Sequence, residues 1–309
     1  MIDTIRVKYH IRPTSKQLEA WTIRSVETQT GKRYSLTYNP TSENQVLPRY
    51  TYYPLGYDNT PILTLEFSLP KLVFGNNYQM ISSVENAMID TNDILEKIPN
   101  TPELNIADGI LIRLDFCYNH QVGDAVDDYI KAISNLEYPH RRTKHHRFEG
   151  VEFRAKHKTT KFYGKERESG FVEAHGILRQ ETTLLDAKDI QKLLRSNSPA
   201  LLDLSDKIIT DALKEDLRKL GLLNNSIATR DTAMETLCNT HGEYAGVYYS
   251  GLLNDKIGKS KKQLVKQIKT HPRSLDRRLR KIVQSGLPLT LTDREEPLPP
   301  LNIDLSPIR

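Results

Sequence analysis

The chain has 309 residues, 38% of them hydrophobic, enough for one large or two ordinary domains with real cores. No run of about 18 apolar residues marks a membrane span or secretory signal, so a soluble cytoplasmic protein without a membrane partner is expected. Cys117 and Cys238 lie far apart in no Cys-x-x-Cys or Cys/His pattern, which excludes a zinc knuckle or disulfide framework and leaves buried free thiols.

The formal charge is only +5, yet residues 140–167 hold ten Lys and Arg against three acids, and residues 256–281 hold eleven against one. An acidic body carrying two basic segments fits a polyanion binder better than an enzyme of small metabolites.

In chain order, strands are predicted at about 3–10, 32–39, 49–54 and 62–69, with turn chemistry in NPTSEN and the Tyr/Pro-rich RYTYYPLGYDNTP. SSVENAMIDTNDILEKI starts with capping serines, spaces Val84, Met88, Ile89 and Leu95 helically, and stops before NTP. ILIRLDFCY is a strand. The helix after it, DAVDDYIKAISNL, gathers Val126, Tyr129, Ile130, Ile133 and Leu136 on one face. GVEFRAKH, TTKFYGKE and GILRQETTLL add three strands. From Asp186 the pattern turns helical through SKKQLVKQI and PRSLDRRLRKIVQSG, the last begun by Pro272 and ended by Gly286. The expected organisation is an α+β domain over 1–185 built on an antiparallel-rich mixed sheet, a helical domain over 186–292 and a Pro-rich extended tail over 293–309.

Tyr163, in the basic stretch KTTKFYGKERE, is a candidate nucleophile. A phenol can attack a phosphodiester and keep the DNA end as a phosphotyrosine, but with a pKa near 10 it needs help. Lys161, Lys165 and Arg167 are placed to favour the phenolate and hold flanking phosphates, and a divalent metal would polarise the scissile phosphate. Asp115 and Glu181 share one pattern, a strand acid with an arginine two residues before it on the same face, Arg113 and Arg179 respectively. Such an acid ligates a metal, is neutralised by its own arginine or lies on a wet face. Glu66 and Glu152 are further mid-strand acids.

His145 and His146 are adjacent, point to opposite sides of an extended chain, and read as phosphate contacts or plain loop; no His-x-His occurs. His120 is a weaker candidate ligand. No glycine-rich phosphate loop supports nucleotide hydrolysis. At the C-terminal end, two helices joined by KTHPR carry an apolar stripe of Leu275, Leu279, Ile282 and Val283, with Arg273, Arg277, Arg278 and Lys281 toward the other side, as a helix-turn-helix on duplex DNA requires. Arg154, Lys156, Lys158 and Lys161 form the other candidate DNA-contacting set.

These pieces (the opening MID, LEFSLPKLVFGNN, RLDF, FYGK, LRQET and RRLRKIVQSGLPL, in this order) resemble the filamentous-phage gene II and gene X replication initiators and their plasmid relatives, which are similar to Rep_trans-type initiators. The resemblance implies a Rep-like or HUH-like nuclease fold and a site-specific nickase and strand transferase for rolling-circle replication. It implies Tyr163 as nucleophile with Lys165 alongside, and Mg²⁺ or Mn²⁺ held by Asp115 and Glu181, with Glu66 as a further acid. The implied partners are origin DNA, duplex and nicked, and the host helicase and polymerase, with the protein a monomer or homodimer. The alternatives are a non-catalytic origin-binding regulator and a conjugative relaxase.

Overall fold

The computed structural model describes all residues except 29–30, 43–45, 57–59, 82, 147–148 and 304–309. Parts of NPTSEN, of PLGYDNTP and of the Pro-rich tail therefore lie outside the described residues. The chain forms two compact units. The first holds Met1–Cys117 and Thr182–Ile209; the second holds Tyr118–Glu181 and Thr210–Ser306. Strands β6 (Ile110–Gln121) and β10 (Ile177–Leu184) run through both.

In the first unit, β1 (Ile2–Tyr9), β2 (Thr22–Thr28), β3 (Gly31–Tyr38), β4 (Arg49–Tyr53) and β5 (Ile62–Ser68) lie in the order β2-β3-β4-β5-β1-β6. All pairs in that run are antiparallel. Alternation along β1 sends Ile5, Val7 and Tyr9 into the core, while Arg6 stands on the opposite face. Helix α1 (Ser15–Leu18) precedes β2, and α2 (Leu69–Phe74) follows β5 directly. The Ser68 side chain caps α2, and Gly75 ends it at φ 74°, where a side chain would be strained. Val73, Phe74 and Gly75 of LEFSLPKLVFGNN therefore form the end of a helix. The helix α3 (Val84–Leu95) buries Ala87, Met88 and Leu95 and leaves Ile89 exposed. Cys117 is buried.

In the second unit, β7 (Arg142–His146), β8 (Gly150–Arg154) and β9 (Lys158–Gly164) continue the order β6-β10-β9-β8-β7. Helix α4 (Val126–Ser134) lies on β8 and β9, where Phe153 and Phe162 are wholly buried. The opposite side of the same strands carries Glu152, Lys161 and Tyr163. The strand predicted through TTKFYGKE ends at Gly164, and Lys165 opens the short helix α5 (Lys165–Ser169).

Helices α6 (Ala187–Leu194) and α7 (Asp206–Leu220) follow β10, and the rest are α8 (Arg230–His241), α9 (Glu243–Lys256), α10 (Lys261–Gln267) and α11 (Pro272–Gln284). The last four share a core of Leu237, Leu253, Leu264, Leu275, Leu279 and Ile282. Val283, assigned to the apolar stripe, is exposed because it lies off the arc set by Leu275, Leu279 and Ile282. Gly246 lets α9 approach α8, since a Cβ there would sit 2.4 Å from the Cα of Cys238, which is half-buried. The described part of the tail, 293–303, is extended but tied down. Leu298 bridges to Ile227, Leu301 and Ile303 are buried, and Pro299 O accepts the Tyr129 hydroxyl. Among the described residues no helix is long and apolar enough to cross a membrane.

Candidate active site

Tyr163 and Glu181 come together in the second unit. The Tyr163 hydroxyl donates to Glu181 Oε2 at 2.7 Å, and Lys161 Nζ stands 3.4 Å from Oε1 of the same carboxylate. They line a cavity of about 510 Å³ with His146, Gly150, Glu152, Arg167 and Glu168.

Burial, followed by the negative charge of Glu181, pushes the Tyr163 phenol well above its ordinary pKa, against the smaller opposing effect of Arg179. The basic environment read from the sequence therefore does not produce a phenolate. Of the three cations assigned to that task, Lys161 pairs with Glu181, and Lys165 and Arg167 are engaged elsewhere. Lys165 is fully buried and ion-paired with Glu168, its Nζ 5.7 Å from the Tyr163 ring centroid. Arg167 binds Asp127 through both terminal nitrogens, at 2.8 and 2.7 Å. The proton of Tyr163 has one acceptor in place, Glu181.

The two Arg-x-acid patterns have different fates. Arg113 grips its own Asp115 through Nε at 3.1 Å and Nη2 at 2.7 Å. The register places Glu66, Arg6 and Arg113 in one row across β5, β1 and β6. Glu66 accordingly accepts from Arg113 Nη1 at 2.5 Å and from Arg6 Nε at 2.9 Å. Two acids thus face two arginines in the first unit. Arg179, by contrast, is wholly buried and donates to Asn119 Oδ1 at 2.8 Å, which leaves Glu181 to Tyr163 and Lys161.

Asp115 and Glu66 are held by arginine and Glu181 by a phenol and an ammonium, and among the described residues no three His, Cys, Asp or Glu side chains gather to hold a metal. This arrangement does not fit Mg²⁺ or Mn²⁺. Adduct yield with and without EDTA measures any metal requirement directly.

His120 is held in the interior of the second unit. It lies buried on the strand face opposite Asn119, against Gln180 Oε1 at 3.2 Å, and burial lowers its pKa to about 4 despite that hydrogen bond and one with the Asn302 backbone. An imidazole kept neutral in the folded chain stabilises it fully above the unfolded value of 6.5, and that contribution is lost as pH falls toward 4. The stability difference between wild type and His120→Gln, measured by denaturant melts, should therefore shrink by about 3 kcal/mol at most between pH 7 and pH 4.

The proposed DNA contacts also divide. Lys158 reaches the buried Asp216 carboxylate at 3.4 Å, and burial lowers its pKa. Asp216 also accepts from Tyr138 and Thr160, at 2.6 and 2.9 Å, so Lys158 is tied into an internal network. Arg154 is exposed but pairs with Glu152 at 2.5 Å, and Lys156 is exposed in the β8–β9 turn. On α11, Arg273, Arg277 and Lys281 are exposed, joined by Arg280, which the sequence reading passed over, while the guanidinium of Arg278 lies 5.4 Å from the Tyr248 ring centroid.

No family model matches the chain, and no curated protein matches it. Among solved structures, the chain is similar to a rolling circle replication initiator protein from Geobacillus stearothermophilus, with 12% identity and a TM-score of 0.36 over 71% of this chain and 84% of that one. A likeness that loose fixes no residue correspondences.

Proposed function

We propose that the chain nicks one DNA strand by attack of Tyr163 on a phosphodiester, as the initiator of rolling-circle replication of a phage or plasmid. The observation that carries this is the 2.7 Å hydrogen bond from the Tyr163 hydroxyl to Glu181 inside an open cavity. A neutral phenol is a weak nucleophile until its proton leaves, and Glu181 is in hydrogen-bond reach to take it. The new O–P bond leaves a 5′-phosphotyrosyl link, and the broken bond leaves a 3′-hydroxyl for a host polymerase. Lys161 then offers a positive charge beside the phosphoryl group. The test is incubation with a randomised single-stranded oligonucleotide pool, with Mg²⁺ or Mn²⁺ supplied. An SDS-resistant protein–DNA adduct supports the reading, and its absence, with DNA bound, overturns it.

One observation favours a second reading, an origin-binding regulator without nuclease activity. The phenol is held neutral and the cations around it are paired, as a structural tyrosine would have them. Binding without an adduct is its signature.

For DNA recognition we assign α10 and α11 as a helix-turn-helix, with Arg273, Arg277 and Lys281 on phosphates. Replacing these three with alanine should weaken duplex binding across sequences and reduce the slope of log K against log salt by about 3, because each lost phosphate contact removes roughly 0.9. Fluorescence anisotropy titrations at several salt concentrations measure it.

A further inference from the structure

The pairing of three strands places His146 opposite Gly150 and Gly150 opposite Tyr163. With neighbouring strands about 4.8 Å apart, His146 and Tyr163 stand roughly 10 Å apart along one row, over a residue with no side chain. All three line the same cavity. In the next row Lys144, Glu152 and Lys161 are likewise opposite one another.

Glu152 is the anchor of the His146 side. It is 3% exposed, sits 3.2 Å from His146 Nε2 and accepts from Arg154 Nε at 2.5 Å. Burial raises its carboxyl, but hydrogen bonds from His146 and Arg154, with the charges of Arg154 and Lys161, bring it below the ordinary value. A buried carboxylate on Nε2 fixes the ring and leaves Nδ1 for a ligand.

Displacement at phosphorus runs in line, so the leaving oxygen departs on the side opposite the nucleophile. A phosphodiester seated over Gly150 has Tyr163 on one side and His146 on the other. Resting on the nickase reading above, we propose that His146 is the general acid of the reaction, held by Glu152 as a positioning residue. As the Tyr163 oxygen bonds to phosphorus, its proton passes to Glu181. The bond from phosphorus to the 3′ oxygen breaks, and that oxygen takes the proton of the His146 imidazolium. Charge and atoms balance, and the reverse transfer uses the same two groups with their proton roles exchanged.

The test uses the oligonucleotide recovered from the randomised pool and a copy carrying a bridging 3′-sulfur at the cleaved bond, since a thiolate leaves without a proton donor. On ordinary DNA, single-turnover adduct formation by His146→Ala should fall about 100-fold or more. On the thio substrate it should approach the wild-type rate. His146→Gln, which can keep the contact with Glu152, should show the same rescue if the loss is chemical, and circular dichroism checks that both variants fold. Tyr163→Phe should be inactive on both substrates. Equal wild-type and His146→Ala rates on ordinary DNA, or an equal deficit on both substrates, would overturn the role of His146 while leaving the nickase reading in place. A wild-type protein that forms no adduct on either substrate overturns that reading and this inference together.

Discussion

Replacing Tyr163 with phenylalanine should abolish adduct formation while leaving DNA affinity within a few-fold of wild type. The ring is retained, and with it the packing around β9; what disappears is the hydroxyl that donates to Glu181 at 2.7 Å. Glu181 keeps Lys161 at 3.4 Å, so the carboxylate is not stranded, and the loss of stability should stay near the 1–3 kcal/mol of one unmade hydrogen bond. Denaturing gels after incubation with the selected oligonucleotide read the adduct, and anisotropy reads the binding. Adduct formation by Tyr163→Phe would transfer the nucleophile to another residue. Glu181→Gln supplies the complement. An amide can still accept the phenolic hydrogen bond but does not take up the proton, so a drop of roughly 10²–10⁴ in rate with binding unchanged identifies Glu181 as the base.

Where burial writes a period, the chain could be read directly. Val7 and Ile5 on β1, or Leu275, Leu279 and Ile282 on α11, face cores and repeat at strand or helix spacing. The elements that escaped carry no such pattern. Strand β2 has Ile23 69% exposed, and β7, the last in its order, is RTKHH, with no apolar residue for a core face. Helices α2 and α5 announce themselves through ends instead: Ser68 and Gly75 bracket one, Gly164 and Gly170 the other. The short helix changed the chemistry most. A strand continued through Lys165 would set that ammonium beside Tyr163 on the sheet, whereas the turn into α5 buries it against Glu168.

The candidate site was legible in part for a similar reason. Tyr163 and Glu181 are visible as residue types, but their hydrogen bond depends on β9 and β10 lying side by side, which no local spacing encodes. The Arg-x-acid repeat is the clearest case. Arg113 binds its own acid because both face the same side of β6, yet the equally spaced Arg179 turns to Asn119 and releases Glu181. Identical sequence patterns thus gave an arginine–carboxylate network in one unit and, in the other, a carboxylate shared by a phenol and Lys161.

Gly150 makes the sharpest demand on the site, and Gly150→Ala should damage both stability and chemistry. A Cβ at this position would lie 2.4 Å from the carbonyl oxygen of Phe162 and 2.7 Å from the Cβ of Tyr163. The first neighbour is backbone and the second is the root of the reacting side chain, so neither yields by a simple rotamer change. Overpacking of this kind costs about 1–3 kcal/mol. Relief requires β9 to move away from β8 near Tyr163, which crowds the hydroxyl against Glu181 on β10 and widens the gap toward His146 on β7. Misplacement of a reacting group by about 1 Å is enough for a loss of roughly 10²-fold. The expected result is a protein that melts a few degrees lower, keeps its DNA affinity, and forms adduct at least about 100-fold more slowly. Thermal melts, anisotropy and single-turnover gels separate the three. An alanine variant with wild-type adduct kinetics would show that the space over Gly150 is not where the phosphate sits.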